Sequence, residues 1–148
     1  MSTTAPYGTW PSPITPGTIT TRTVRLSQVR IDGPDTYWVE QRASQAGRNV
    51  LLRRDGDGQI GEILPLTPSD ELVDVRTRVH EYGGRAYAVD SGVVVVSHAG
   101  DGRLYRYDVN HRLRGLVPLT IYGDVRHGDL EIDTGRGLVY AVREDHRG

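Results

Sequence analysis

Residues 86–97, Ala86-Tyr-Ala-Val-Asp90, Ser91-Gly92 and Val93-Val-Val-Val-Ser97, decide the fold. Two short apolar runs flank a two-residue Ser-Gly step, the pattern of a β-hairpin, since Gly supplies the positive φ that so tight a turn requires. The run of four valines is too short for a free-standing helix and rich in the β-branched residues that suit a pleated, buried surface. Downstream, Asp101-Gly102 turns into Arg103-Leu-Tyr-Arg-Tyr-Asp108, and Leu116-Val-Pro-Leu-Thr120 closes the unit. Four short antiparallel strands are therefore expected over residues 86–120.

The segment before it repeats the order. Val24, Leu26, Val29 and Ile31 alternate with polar residues, as a half-buried strand does. Asp32-Gly33-Pro34-Asp35 turns the chain into Tyr37-Trp38-Val39-Glu40, Ser44 to Arg48 forms a loop, and Asn49–Asp55 is a third strand. Gly56-Asp57-Gly58 then leads to a fourth strand over Ile60–Leu64. Asp55 and Asp108 lie 53 residues apart, and so do Thr67 and Thr120, each of which ends a Pro-Leu-Thr tripeptide. Two landmarks with one offset argue for a repeat. A third copy opens at Asp129–Asp133, turns at Thr134–Gly137 and returns over Leu138–Arg143.

Four-stranded units repeating every ~40–50 residues are the pattern of β-propeller blades, of which a closed ring typically has about four to eight. The fold class expected is all-β: antiparallel four-stranded blades of an incomplete β-propeller, about two and a half of them. The chain divides into an extended Pro-rich arm (1–22), a first blade (23–67), an inter-blade connector (68–85), a second blade (86–120) and the start of a third (121–148). In the arm, Pro6, Pro11, Pro13 and Pro16 exclude helix and central strand, and Tyr7 and Trp10 are expected to anchor it against the body. Ser69 to Val75 is expected to form one helical turn capped by Ser69. An open stack leaves sheet edges unpaired, so exposed blade edges are expected to pair with another chain or a longer one, and stability in isolation is expected to be weak.

Composition narrows the function classes. All 18 basic residues are Arg, against 19 Asp and Glu, for a net charge of -1. That balance provides no general attraction to nucleic acid or to an anionic membrane. With no Cys, disulfide and thiolate chemistry are excluded. No apolar run approaches the ~18–20 residues of a membrane span, the N-terminus lacks the charged and apolar regions of a secretory signal, and a cytoplasmic location is expected.

Several motifs fail on context. Gly56-Asp-Gly-Gln-Ile-Gly61 has the G-x-G-x-x-G spacing, but Pro65 forbids the helix that would receive a pyrophosphate. Asp55-Gly-Asp57 begins like a calcium loop, yet Ile60 and Leu66 stand where Gly and Glu are required. His80-Glu81 starts like a zinc helix, yet Gly84 stands where the second His belongs. No G-x-S-x-G elbow occurs, and Ser97 and His98 point to opposite faces of a strand. No catalytic, cofactor or metal residue is assigned.

The stretch Arg76–Asp90 holds the densest group of reactive side chains. Arg78, His80, Glu81 and Tyr82 are the candidates for lining a substrate path. Gly83-Gly84 is read as a sharp backbone turn, and Glu81 as an ion-pair partner of Arg76, Arg78 or Arg85.

Val79-His-Glu-Tyr-Gly-Gly-Arg-Ala-Tyr-Ala-Val89 resembles the N-terminal propeller of the prolyl oligopeptidase family, nearest its bacterial dipeptidyl aminopeptidase and acylaminoacyl peptidase-like branch. Ala5-Pro-Tyr-Gly-Thr-Trp-Pro-Ser-Pro-Ile14, Asp35-Thr-Tyr-Trp-Val-Glu40, Asp101-Gly-Arg-Leu-Tyr-Arg-Tyr-Asp108 and Val142-Arg-Glu-Asp-His146 resemble the same proteins in the same order. The chain departs from them at Leu66–Val75, a longer connection, and at His98-Ala99-Gly100. The resemblance implies a serine peptidase in which a propeller filters peptides reaching an α/β-hydrolase domain. No residue of such a triad matches a position of this chain. Two rivals stand beside that reading. One is a free-standing propeller-like interaction module; the other is a small enzyme using His80, Glu81 and nearby Arg residues as acid-base groups.

Overall fold

The computed structural model describes residues 4, 6–9, 17 and 24–146. Within them the chain forms two four-stranded antiparallel sheets and one hairpin. The first sheet is β1 (Val24–Asp32), β2 (Asp35–Arg42), β3 (Arg48–Arg54) and β4 (Ile60–Glu62), neighbours in that order. The second repeats it with β5 (Tyr87–Asp90), β6 (Val93–Ser97), β7 (Leu104–Asp108) and β8 (Val117–Pro118). The hairpin is β9 (Val125–Asp133) and β10 (Leu138–Asp145). All-β architecture and antiparallel pairing agree with the reading of the sequence. β9 begins four residues before the expected Asp129, and the closing strands β4 and β8 are shorter than expected.

The core lies between the two sheets. Tyr37, Val39 and Leu51 of the first pack against Tyr87, Val94, Val96, Tyr105 and Tyr107 of the second, with Val73 and Val75 of the connector filling the edge. A smaller cluster of Ala88, Val95, Leu104 and Leu130 joins the second sheet to the hairpin. The valine run is buried on both faces, as its lack of alternation implied.

Three expectations need correction. The apolar residues of β1 are exposed rather than half-buried, Leu26 at 62% and Ile31 at 76%. Directly paired residues share a face; Leu26 stands opposite Glu40, so it faces away from Val39 and the second sheet. The alternation was real, but it marks the side of the first sheet that the second sheet does not cover. Ser69–Val75 is not a helical turn. The Thr67 carbonyl accepts from the Asp70 N–H at 2.9 Å and Thr67 Oγ1 accepts from the Glu71 N–H at 3.1 Å, so Thr67 caps a tight turn in place of Ser69. Tyr7 is fully exposed rather than packed on the body, and Trp10 lies outside the described residues. Between β7 and β8, Val109–Arg114 forms short 3-10 structure.

No helix among the described residues is long and apolar enough to cross a membrane.

Candidate functional site

The connector from Val73 to Ala86 threads between the sheets and is pinned at both ends. Val75 bridges to His98, and its N–H donates to the Asn49 carbonyl at 2.9 Å. Asp74 Oδ1 accepts from both the backbone N–H and the side-chain amide of Asn49 at 2.9 Å, while the Asp74 N–H donates to His98 Nδ1 at 3.1 Å. One residue thus ties β3 to the end of β6. His98 is buried, with its side chain only 4% exposed. Because Nδ1 accepts, the neutral ring carries its proton on Nε2. Gly100 packs over that nitrogen so closely that a Cβ there would sit 2.5 Å from it.

Beyond Val79 the backbone enters conformations that L-residues seldom adopt. His80 and Glu81 have φ of 53° and 64°, and Gly83 follows at 84°. A Cβ on Gly83 would approach the Thr77 carbonyl oxygen at 2.9 Å, so the sharp turn read from Gly83-Gly84 has a steric cause. Such strain persists only where the surroundings over-determine it. Here Glu144 of β10 accepts from the His80 N–H at 2.9 Å and Arg126 of β9 donates to the Arg78 carbonyl at 3.0 Å. Arg126 also pairs with Glu81 and lies 4.0 Å from Glu144. The expected pairing of Glu81 with Arg76, Arg78 or Arg85 is therefore corrected to Arg126, a partner 45 residues away that no local spacing reveals. The hydrogen bond from the His80 N–H, aided by His146, holds the Glu144 carboxyl below its ordinary range.

The other cations of the stretch divide. Arg85 turns toward Asp129 and Glu131 of β9, and Arg76 pairs with Asp74 at 3.4 Å. Arg78 has no ion-pair partner among the described residues, and the Tyr82 side chain is 99% exposed. Arg76, Thr77 and Arg78 separate two open cavities. One, of about 530 Å³, is bordered by Gln28, Gln41, Glu81 and Tyr82. The other, of about 450 Å³, is bordered by His98, Asp101, Tyr122 and Arg126. Arg78, Glu81 and Tyr82 thus meet at one cavity mouth, whereas His80 borders neither cavity and is tied through its backbone N–H to Glu144. Guanidinium groups and an exposed phenol suit recognition of a carboxylate or an aromatic group. Among the described residues, no Ser or Thr hydroxyl is hydrogen-bonded to a His ring.

Sequence reasoning passed over Gln28. It sits in a bulge with φ of 55°, its side-chain oxygen accepts from the Ala86 N–H at 2.8 Å, and its carbonyl accepts from the Tyr87 hydroxyl. The signal was present, since the alternation in β1 slips by one residue between Leu26 and Val29, as a bulge requires.

No protein-family model and no curated protein sequence matches the chain. Solved structures do. A puromycin hydrolase is 35% identical over 93% of this chain, with a TM-score of 0.74. A puromycin-hydrolyzing peptidase of Mycobacterium tuberculosis is 34% identical over 96% of it, with a TM-score of 0.80. The chain spans only 22% of the length of each. These matches support the resemblance to the N-terminal region of the prolyl oligopeptidase family, without distinguishing its branches.

Proposed function

We propose that this chain is the N-terminal propeller segment of a prolyl-oligopeptidase-type serine peptidase, near the dipeptidyl aminopeptidase and acylaminoacyl peptidase branch and acting in the cytoplasm. The observation that carries the reading is the match of nearly the whole chain to about a fifth of two puromycin-hydrolysing enzymes. The two sheets and the hairpin are then blades of one ring. In this reading the chain performs no chemistry. It narrows the route by which peptides reach a hydrolase domain encoded further on, and Arg78 and Tyr82 at the cavity mouth contact the passing peptide. Positioning of that kind raises the local concentration of the scissile bond.

The test is to read the coding frame past Gly148 and express what it encodes. An open frame with further four-stranded units and a G-x-S-x-G elbow, yielding a protein that cleaves aminoacyl substrates, supports the proposal. A stop codon followed by unrelated sequence contradicts it. The second reading is a free-standing interaction module, favoured by exposed apolar residues on β1 and β10. It requires a discrete oligomer of the isolated chain in solution.

A further inference from the structure

Each unit ends its first strand on Asp: Asp32 closes β1, Asp90 closes β5 and Asp133 closes β9. Two of these carboxylates reach across to the first turn of the following unit. Asp32 accepts from the Ser91 N–H at 3.0 Å and the Gly92 N–H at 2.7 Å. Asp90 accepts from the Thr134 hydroxyl at 2.6 Å and the Thr134 N–H at 3.2 Å. Ser91 and Thr134 are both the first residue of their turns, so each carboxylate takes two donors from the next unit's turn: two backbone N–H groups at Asp32, an N–H and a hydroxyl at Asp90, the Ser91 hydroxyl turning instead to Asp90 at 3.1 Å. These hydrogen bonds, that of Thr134 Oγ1 foremost, hold the Asp90 carboxyl below its ordinary range.

Asp133 occupies the third such position, and among the described residues its partners are local. It takes the Arg136 N–H on one oxygen at 2.9 Å and the Arg136 guanidinium on the other at 2.8 Å. The Arg136 side chain is 76% exposed, so that second bond is readily exchanged. Register places Asp133 opposite Leu138 and Glu131 opposite Tyr140, on the face of the hairpin opposite to that of Leu130 and Ile132, which pack on the second sheet. Leu138 and Tyr140 are exposed there. The surface repeats what the second sheet offers the hairpin: apolar residues along the strand and a carboxylate at the turn.

We propose that Asp133 anchors a fourth sheet of the same polypeptide against this face, by accepting a backbone N–H together with a second N–H or a hydroxyl from that sheet's first turn. The inference rests on the proposed function, in which the chain continues. The occupant is not a second copy of this chain docking its first sheet. The corresponding turn there is Gly33-Pro34, which offers no hydroxyl and, at Pro34, no second N–H.

The experiment compares thermal unfolding of the 148-residue chain with the chain extended along its reading frame through the next complete unit. Asp133→Ala is expected to lower the midpoint of the extended chain by roughly 3–12 °C, as loss of a charged acceptor does in a domain of this size. In the shorter chain the same change costs only the local turn contact and moves the midpoint less. Asp133→Asn, which keeps one acceptor, restores part of the loss in the extended chain. Equal shifts in both chains overturn the inference and leave Asp133 as a turn cap. A fourth unit whose first turn opens on Pro overturns it too, as does a dimer of the shorter chain that Asp133→Ala abolishes. Each of those outcomes, with peptidase activity intact in the continued protein, leaves the proposed function standing. A frame that closes at Gly148 removes both.

Discussion

Arg30 and Glu131, 101 residues apart in the chain, meet at 3.0 Å. Arg30 lies on β1 and Glu131 on β9, the first strands of the first and third units, and Arg85 reaches the same carboxylate from the start of the second. The first strands therefore lie side by side around one line of charge, and the repeat in the sequence becomes a repeat in space.

Arg30, through its hydrogen bond, and then Arg85 hold the Glu131 carboxyl below its ordinary range. A depressed folded-state pKa contributes stability above the unfolded value near 4.5, and that contribution disappears as pH falls through the folded one. Both side chains are partly exposed, so the contribution is small, up to ~1 kcal/mol at low salt. Urea midpoints of the native protein and Glu131→Gln are expected to differ slightly at pH 6–7 and to converge below about pH 4.

Leu51 and Leu26 are a matched pair for the burial reversal in the first sheet. Leu51 is buried at the sheet–sheet interface and Leu26 is exposed on the opposite face. Leu51→Ala is expected to cost ~2–5 kcal/mol, whereas Leu26→Ala stays within ~0.5 kcal/mol. Chemical denaturation of the two variants checks this; a larger loss at Leu26 would refute the orientation of β1.

Gly83 and Gly61 separate required from incidental glycines. Gly83 combines positive φ with a backbone oxygen 2.9 Å from any Cβ, while Gly61 has neither a positive φ nor a neighbour within 4 Å. Gly83→Ala is expected to lose ~1–3 kcal/mol and to disturb the Arg126–Glu81 pair. Gly61→Ala is expected to be neutral or slightly stabilising.

Burial raises Tyr37 to about 12, with Asp35 adding to the effect, and burial with the hydrogen bond to Asp101 raises Tyr105 to about 12. A raised folded-state value means that their contribution is intact below the unfolded pKa near 10 and is lost as pH climbs through 12. Stability is expected to fall steeply across that window, with phenolate absorbance and unfolding rising together. Phenylalanine at Tyr105 is expected to blunt the alkaline slope.

The fold was legible wherever a turn residue or an unbroken apolar run carried local information. Ser91-Gly92, Gly33-Pro34 and the valines of β6 are of that kind. The orientation of β1 was not, because period-two alternation tells which residues share a face and not what covers that face. The cavity mouth was half legible. Gly83 announced its own backbone, but Glu81 found its partner on β9, and the Asp74–His98 clasp joins positions 24 residues apart across two sheets. Such pairings depend on how units stack, which short-range spacing does not encode.

The central claim is that the chemistry lies outside this chain. The direct measurement is hydrolysis of aminoacyl and acyl-aminoacyl chromogenic substrates by the purified 148-residue chain beside the protein from the continued frame. The account predicts no turnover above buffer for the first, and turnover blocked by a serine-directed fluorophosphonate for the second. Turnover by the shorter chain alone, lost in His80→Ala or Glu81→Gln, would contradict it.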